Sequence, residues 1–337
     1  MQRYAINLLI PAAAAVIVAL SQFGAIDLYI QSVIMFMAIN VIMSSSLNLV
    51  NGNMGEFSCG HGGFMCVGAY VGSLMSMLLF TNSKLFGAAL LPGASSLVLF
   101  PVVLLAAGVA AALVGVIVAV PSFKTRGDYL AIITLAVNYM VISAIQNLDI
   151  IGGPRGLTGM RPAISAMEGV VDLPWMMIWV LVGAFGSVAL IRRYISSTYG
   201  KGVNAVCQDE IAAEIMSVDT NRIKLVTFML SSGLAGVAGA LYAHVVGYVN
   251  PGSFDILKST EAMVMVYLGG MGSLSGSVLS AVLFTLLLEA LRPLQIYKWV
   301  IVPLILILLM QFRPEGIMGN KELSDLFPKL RKYFTSK

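Results

Sequence analysis

Residues of the types that bind metals or relay protons are few in this sequence and do not cluster. The 337 residues include 2 His, 3 Cys and 16 Asp or Glu. Cys59, His61 and Cys66 form a Cys-x-His-x4-Cys pattern, yet a structural zinc site takes four ligands and no fourth is evident. The pattern therefore predicts no metal centre, and His61 and His244 are expected to be hydrogen-bonded structural residues.

The composition indicates that the chain lies in a lipid bilayer. Hydrophobic residues make up 58% of it and charged residues 11%, with a mean hydropathy of +0.91, whereas soluble domains are about a quarter charged. Apolar runs of about 17 to 25 residues indicate membrane-spanning helices. Such runs lie near residues 5–22, 29–50, 59–80, 97–120, 129–147, 175–191, 225–247, 274–291 and 296–311. The expected fold class is an all-α polytopic membrane helix bundle, with a transmembrane domain at 1–312 and a basic tail at 313–337.

A further apolar segment, residues 261–272, is too short for a straight crossing and ends in "LGGMGSLSGS". It is expected to be a short or broken span, which brings the total to about ten crossings whose broken member ends deep in the bilayer. Irregular backbone at that depth is tolerated where it is buried in protein or lines a cavity. Gly269, Gly270 and Gly272 are therefore candidate pathway or gating residues, and Gly270→Leu is expected to block transport without preventing assembly.

Positive charge is distributed unevenly between the two sides of this ten-span arrangement. The amino end, residues 121–128, the loop at 192–224 and the tail together hold 14 of the 20 Lys and Arg and fall on one side. Cytoplasmic loops carry an excess of Lys and Arg. Both termini and the loop at 192–224 are therefore predicted to be cytoplasmic, with residues 148–174 and 248–259 on the opposite side.

The loop at 192–224 contains an acidic, helix-forming stretch, "AVCQDEIAAEIMSVDT", at residues 205–220. Asp209 is a candidate N-cap. At 100° per residue, a single helix would place Ile211 and Ile215 on one apolar stripe and Ala213 with Met216 on the opposite face. We expect the isoleucine stripe to pack on the chain's own bundle and the Ala213 face to dock on another protein, because acidic residues are unsuited to an anionic membrane surface.

Ionisable groups at membrane depth would indicate a proton relay. The centres of the candidate spans contain none, and Glu289 and Arg292, three residues apart near the end of one span, are expected to form a local ion pair. This argues against a proton symporter. A Na⁺-coupled transporter stays open, because carbonyl and hydroxyl oxygens can bind Na⁺.

Four motifs, in order, resemble the membrane permease subunits of bacterial branched-chain amino-acid ABC transporters, specifically the M-type subunit. They are "LNLVNGNMGEFSCGHGGFMCVGAY", "DIIGGPRGLTGM", "YGKGVNAVCQDEIAAEIMSVDTNRIKLVTFMLSSGLAGVAGALYAH" and "VYLGGMGSLSGSVLSAVL". Two departures concern the third motif: Cys207 stands where the family usually has Arg, and Ser217 where a Gly commonly follows the short helix. They affect the detailed contacts with a partner.

The resemblance implies that residues 209–217 form a coupling helix that docks in a groove of a cytoplasmic ATPase subunit. Its candidate contact residues are Asp209, Glu210, Ile211, Ala212, Ala213, Glu214, Met216 and Ser217. The implied partners are a homologous permease, two ATP-binding subunits and an extracytoplasmic substrate-binding protein, for which Arg155 and Arg161 are candidate contacts. The implied location is the bacterial inner membrane.

Absence of a nucleotide-binding motif agrees with this division of labour. No G-x-x-x-x-G-K-[ST] sequence occurs in the chain, so ATP and Mg²⁺ are expected on partner subunits and no cofactor on this one. The chain is thus expected to be a transporter subunit and not an enzyme. A pathway with few fixed charges suits an apolar zwitterionic amino acid but also a small neutral solute such as urea, and the resemblance favours the amino acid.

The stretch "GHGG" admits two interpretations. Gly60, His61 and Gly63 either break a helix and line the pathway, or serve close helix packing together with the G-x-x-x-G pair Gly68 and Gly72.

Overall fold

The structure, a computed structural model, describes residues 15–319 apart from 25, 83–85, 124–128 and 314. These residues form a bundle of α-helices, as the composition predicts. The first helix, α1, is described over residues 15–22, so the beginning of the predicted span at 5–22 lies outside the described residues. The same holds for Lys124, Arg126 and most of the predicted basic tail.

The remaining helices follow in chain order. They are α2 (Leu28–Asn48), α3 (His61–Phe80), α4 (Ser96–Ser122), α5 (Tyr129–Gln146), α6 (Arg161–Val170), α7 (Trp175–Ser196), α8 (Thr198–Gln208), α9 (Glu210–Ile215), α10 (Thr220–Val246), α11 (Ile256–Gly269), α12 (Leu274–Ala290) and α13 (Lys298–Phe312). A π-helical turn, Leu49–Met54, extends α2. Two short strands, β1 (Leu157–Thr158) and β2 (Tyr248–Val249), pair antiparallel.

Six stretches of the described chain are long and apolar enough to cross a membrane. They are Leu28–Met54, His61–Phe80, Gly93–Ser122, Tyr129–Gln146, Trp175–Ser196 and Thr220–Val246. The predicted spans at 274–291 and 296–311 are present as the shorter helices α12 and α13, of 17 and 15 residues. The chain is therefore a multi-pass membrane protein.

Small residues hold α3 and α10 in close contact at the centre of the bundle. A Cβ atom on Gly68 would overlap the backbone of Gly236, and one on Gly72 would come within 2.7 Å of the Ala240 Cβ. Such close approach lets the two helices pack backbone to backbone, as in other membrane bundles. The packing interpretation of this glycine pair is confirmed.

The broken span differs from the sequence prediction in its position. Helix α11 is short, with 14 residues, and it ends at Gly269, but it begins at Ile256, five residues before the predicted start. The preceding turn, Pro251–Phe254, has Pro251 and Phe254 buried and is not a simple external loop. The cause is local: Asn250 and Asp255 each accept a backbone N–H two residues ahead, which bends the chain into the bundle.

The depth of the break is also different from the prediction. The carbonyl groups of Leu268 and Gly269 accept hydrogen bonds from the N–H groups of Ile317 and Met318, at 2.9 and 3.1 Å. These two donors follow the end of α13, so the glycine turn lies at that same end of the bundle and not at its middle. The amino end of α11 is the deep one, because the Ser259 hydroxyl accepts a hydrogen bond from Gly62 in the first turn of α3.

Candidate functional site

The acidic stretch forms a short helix, α9, in the loop between α7 and α10, as the sequence predicts. Asp209 has an extended backbone, and its Oδ1 accepts a hydrogen bond from the N–H of Ala212 at 3.0 Å, so the predicted N-cap is confirmed. Glu210 occupies the first turn, where the helix dipole favours a negative charge. Helices α8 and α9 together connect the spans α7 and α10 without crossing the bundle.

The predicted orientation of this helix is wrong. Ala213 is 5% exposed and faces the chain's own bundle, whereas Ile211 and Ile215 are 62% and 78% exposed. Ala213 and the two isoleucines are exchanged, whereas Met216 is 78% exposed, as predicted for the docking face. Asp209 interrupts the helix, so α8 and α9 do not share one continuous 100° periodicity. The surface available to a partner, here named the coupling surface, consists of Ile211, Ile215 and Met216.

The end of α9 is fixed by a turn that a glycine would adopt more readily. Ser217 has a φ of +63°, and it is the one residue other than glycine with a positive φ in the described part of the chain. The N–H of Val218 donates to the carbonyl of Ala213 and the hydroxyl of Thr220 donates to Glu214 at 2.9 Å. A left-handed residue at this position is the usual end of a helix, which accounts for the glycine expected there from the family resemblance.

A buried lysine ties this helix to the membrane part of the chain. The Nζ of Lys224, on α10, lies 2.8 Å from Glu56 Oε1 and 2.9 Å from Glu210 Oε1. Its side chain is 7% exposed, and its Nζ lies 6.0 Å from the centre of the Phe123 ring. Glu56 belongs to the segment between the π-helical turn and α3. Lys224 therefore connects the first residue of α9 with the segment that leads into α3.

Sequence patterns did not single out Glu56 or Lys224 as functional residues. Their positions are 168 residues apart, so no local periodicity relates them. The single available signal was that an acidic residue, Glu56, lies in the Gly-rich motif "NGNMGEFSCG", between two predicted membrane spans.

Cys207 stands next to this cluster. A Cβ atom on Gly55 would lie 2.9 Å from the Cys207 Sγ, which places the thiol against the same segment as Glu56. Burial raises the pKa of the Cys207 thiol, and the neighbouring Glu56 carboxylate raises it further. The thiol is therefore neutral at pH 7 and leaves the charge of the Glu56–Lys224–Glu210 cluster unchanged.

The residues of the "GHGG" stretch meet atoms of the same chain. His61 is 1% exposed and its Nε2 is 3.0 Å from the Ser231 Oγ, which confirms a hydrogen-bonded histidine. Cβ atoms on Gly60 and Gly63 would lie 2.9 Å from the Thr134 carbonyl oxygen and from the Asn138 Oδ1 on α5. Close packing of α3 on α5 accounts for these glycines, and their pathway role stays a prediction. His244 is likewise hydrogen-bonded, to the Ala240 carbonyl.

The glycines of the late motif form a turn that is held from two sides. Gly270 and Gly272 have φ angles of +108° and +83°. The N–H of Gly272 donates to the Asn48 Oδ1 at 3.0 Å, and the Asn48 Nδ2 donates to the Ser273 carbonyl at 3.1 Å. A Cβ atom on Gly269 would lie 2.5 Å from the Gly276 carbonyl oxygen. Several of the backbone groups that the sequence left without partners are thus paired within the chain.

Replacement of Gly270 by leucine is therefore expected to disturb folding before transport. A Cβ atom there would lie 2.6 Å from the Gly319 carbonyl oxygen, and the positive φ adds strain of about 1–3 kcal/mol for a side chain. We expect less folded protein and a lower melting temperature in detergent. Gly186→Leu is the matched control, because Gly186 lies on α7 with no atom within 4 Å of its Cβ position. Equal stability of the two variants would contradict the packing role.

The two candidate arginines lie at the end of the bundle that carries β1 and β2. Arg155 is exposed, and its carbonyl accepts a hydrogen bond from the Tyr248 hydroxyl at 2.6 Å. Arg161 is exposed at the start of α6 and packs beside Gly247, at the end of α10. Both side chains are accessible at this end, and their contact with a binding protein stays a prediction.

Comparisons with known proteins agree with this architecture. Residues 29–311 match the family described as branched-chain amino acid transport system, permease component. The permease protein LivM of the high-affinity branched-chain amino acid transport system of Escherichia coli K12 is 30% identical over 83% of this chain and 68% of its own length. A probable branched-chain amino acid transport permease LivM of Methanocaldococcus jannaschii is 26% identical over 91% of this chain and 97% of its own length.

A second type of permease of the same transport system is also similar. LivH of Escherichia coli K12 is 27% identical over 49% of this chain and 51% of its own length. No solved structure matches the chain significantly. A family match over most of the sequence, together with six apolar spans in the described part of the bundle, leaves one assignment: the chain belongs to the family of branched-chain amino-acid transport system permeases.

Proposed function

We propose that this chain is the M-type permease subunit of an ATP-driven importer for branched-chain amino acids. It forms the translocation pathway together with a homologous permease, and two cytoplasmic subunits bind ATP and Mg²⁺ and drive alternating access. An extracytoplasmic binding protein delivers the solute at the end that carries Arg155 and Arg161.

The observation that carries the coupling part of this proposal is the coupling surface. Its three apolar residues are uncovered in this chain, although α9 is anchored through Ala213 and Glu210. Exposed isoleucine and methionine side chains on an otherwise polar loop are typical of a protein contact. An ATPase subunit with a complementary apolar groove would cover this surface. Because α9 is anchored to the bundle, a movement of that subunit would be transmitted to the membrane helices.

The solute assignment rests on the similarity to LivM and LivH, which are named as permeases of branched-chain amino acid transport systems. Charged residues make up 11% of the chain, which suits a solute without net charge. Two alternatives make different demands on the protein. A small neutral solute such as urea would need no charged residue along its route. A Na⁺-coupled carrier would need no ATPase subunit.

The decisive experiment is purification of the chain with its associated subunits, followed by reconstitution in liposomes. We expect two ATPase subunits and one homologous permease to copurify, and leucine, isoleucine or valine with the binding protein to stimulate ATP hydrolysis. Stimulation by urea and not by these amino acids would overturn the solute assignment. Uptake that needs Na⁺ and proceeds without ATP would overturn the ABC mechanism.

The positive-inside asymmetry gives a separate prediction for topology. A single cysteine at position 201, which is exposed on α8, should be labelled by an impermeant maleimide only after the cells are opened. A cysteine at position 155, at the opposite end, should be labelled in intact spheroplasts, and the native Cys59, Cys66 and Cys207 are replaced by Ser in both. Labelling of position 201 from outside would invert the proposed orientation.

A further inference from the structure

An ion pair lies at mid-depth in the bundle, on the first turns of α11. The Nζ of Lys258 is 2.9 Å from the Glu261 Oε2, with the two side chains 20% and 25% exposed. Between them in sequence, Ser259 accepts a hydrogen bond from Gly62, the neighbour of His61, which contacts Ser231 on α10. Ser231 lies about 17 Å along α10 from Thr220, at about 1.5 Å per residue. This is close to the middle of that 27-residue span.

The side of α11 near this pair is not covered by the rest of the chain. Gly252, Ser253, Leu257 and Thr260 are exposed. A surface with a lysine, a glutamate and hydroxyl groups at this depth is too polar to face lipid hydrocarbon, because charged groups there pair with one another or face a water-filled cavity. The surface is also continuous with the end that carries β2, since the Pro251–Phe254 turn joins the two.

Aromatic and aliphatic groups surround the charges. The Lys258 Nζ lies 5.8 Å from the centre of the Tyr242 ring, and that ring packs on Phe254 with centroids 5.6 Å apart. Leu257 is 47% exposed beside them. The amino end of α11 is already capped by Asp255, which accepts from the N–H of Leu257 at 2.9 Å. The ion pair, and not the helix terminus, is therefore the polar feature that is available to a solute.

We propose that Lys258 and Glu261 bind the two charged ends of the transported amino acid, an inference that rests on the proposed function. Lys258 binds the α-carboxylate, Glu261 binds the α-ammonium group, and the apolar side chain lies against Leu257 and Tyr242. In the empty site the two residues neutralise each other. When a zwitterion binds, the ion pair between Lys258 and Glu261 is replaced by two ion pairs, one from each residue to the solute. The net charge of the site is zero before and after binding, so no uncompensated charge is left at membrane depth.

The test uses the complete complex in liposomes, with uptake of radiolabelled leucine, ATP hydrolysis and recovery of the complex measured together. Lys258→Met and Glu261→Gln should each reduce uptake about tenfold or more, which corresponds to about 1.4 kcal/mol per tenfold. Recovery of the complex should be unchanged. The exchange variant Lys258→Glu with Glu261→Lys restores an ion pair but reverses the charges that the substrate meets, so uptake should stay low. Arg292→Met and Glu289→Gln are matched controls, because this pair has the same i,i+3 spacing and a 3.0 Å contact at the end of α12.

The outcomes separate the inference from the proposed function. Absence of leucine uptake by the unsubstituted complex would overturn the proposed function itself. If the unsubstituted complex takes up leucine normally and the exchange variant restores leucine uptake, the binding role is overturned and the ion pair is purely structural. Loss of the assembled complex in all three variants would likewise overturn it, and would place the pair in the contact with the second permease.

Discussion

Replacement of Lys224 by methionine is expected to uncouple ATP hydrolysis from solute uptake. The substitution removes the cation between Glu56 and Glu210, which are 2.8 and 2.9 Å from its Nζ, and leaves two carboxylates facing each other. Removal of one partner from a fully buried ion pair destabilises by about 3–5 kcal/mol, and the loss here is smaller because Glu56 and Glu210 are 21% and 35% exposed. We expect α9 to detach from the segment before α3, so that ATP hydrolysis loses its dependence on solute and uptake falls at least tenfold.

The controls for this variant distinguish coupling from general loss of stability. Lys201→Met removes an exposed lysine of the same loop and should leave both activities intact. Lys224→Arg keeps a cation with several donors and should retain part of the coupling. Solute-dependent ATP hydrolysis and uptake that are both normal in Lys224→Met would show that the cluster is not the connection between α9 and the membrane helices.

Local signals in the sequence were sufficient for the fold class, for the N-cap and for the short broken helix. The apolar runs gave the positions of the spans, because a bilayer requires long apolar helices whatever their neighbours are. Asp209 could be recognised because a cap acts within three residues, and the Glu289–Arg292 pair because its partners are one helical turn apart. Each of these features depends on neighbours in the sequence.

Features that depend on tertiary contacts were missed or misplaced. Both faces of the stretch at 205–220 carry apolar residues, so periodicity could not show which face packs inside. The break at Asp209 also means that α8 and α9 are separate helices, whose faces one helical wheel does not relate. Lys258 was assigned to an external loop and Glu261 to the start of the short span, because charges and Pro251 resemble a loop in any hydropathy count. The turn that carries them into the bundle is set by Asn250 and Asp255, which local composition did not reveal.

The exchanged faces of α9 change which substitution should break the contact with the ATPase. Ile215→Asp should prevent stable association with the ATPase subunits, because a carboxylate would replace an apolar group that is 78% exposed in this chain and buried in the proposed contact. Loss of a central apolar contact residue weakens an interface by about 2 kcal/mol or more. The chain itself should stay folded, since the side chain of Ile215 contributes little to its own core.

Ala213→Arg should have the opposite effect, with a destabilised chain and lower expression, because Ala213 is 5% exposed and a long side chain would overpack the site. Ile150→Asp is the matched control for Ile215→Asp: Ile150 is 77% exposed but lies at the other end of the bundle, and its substitution should leave the ATPase subunits bound. Copurification and melting temperature are measured on all three variants. Full recovery of the ATPase subunits with Ile215→Asp would remove the coupling surface from the contact, and normal stability of Ala213→Arg would restore the orientation expected from the sequence.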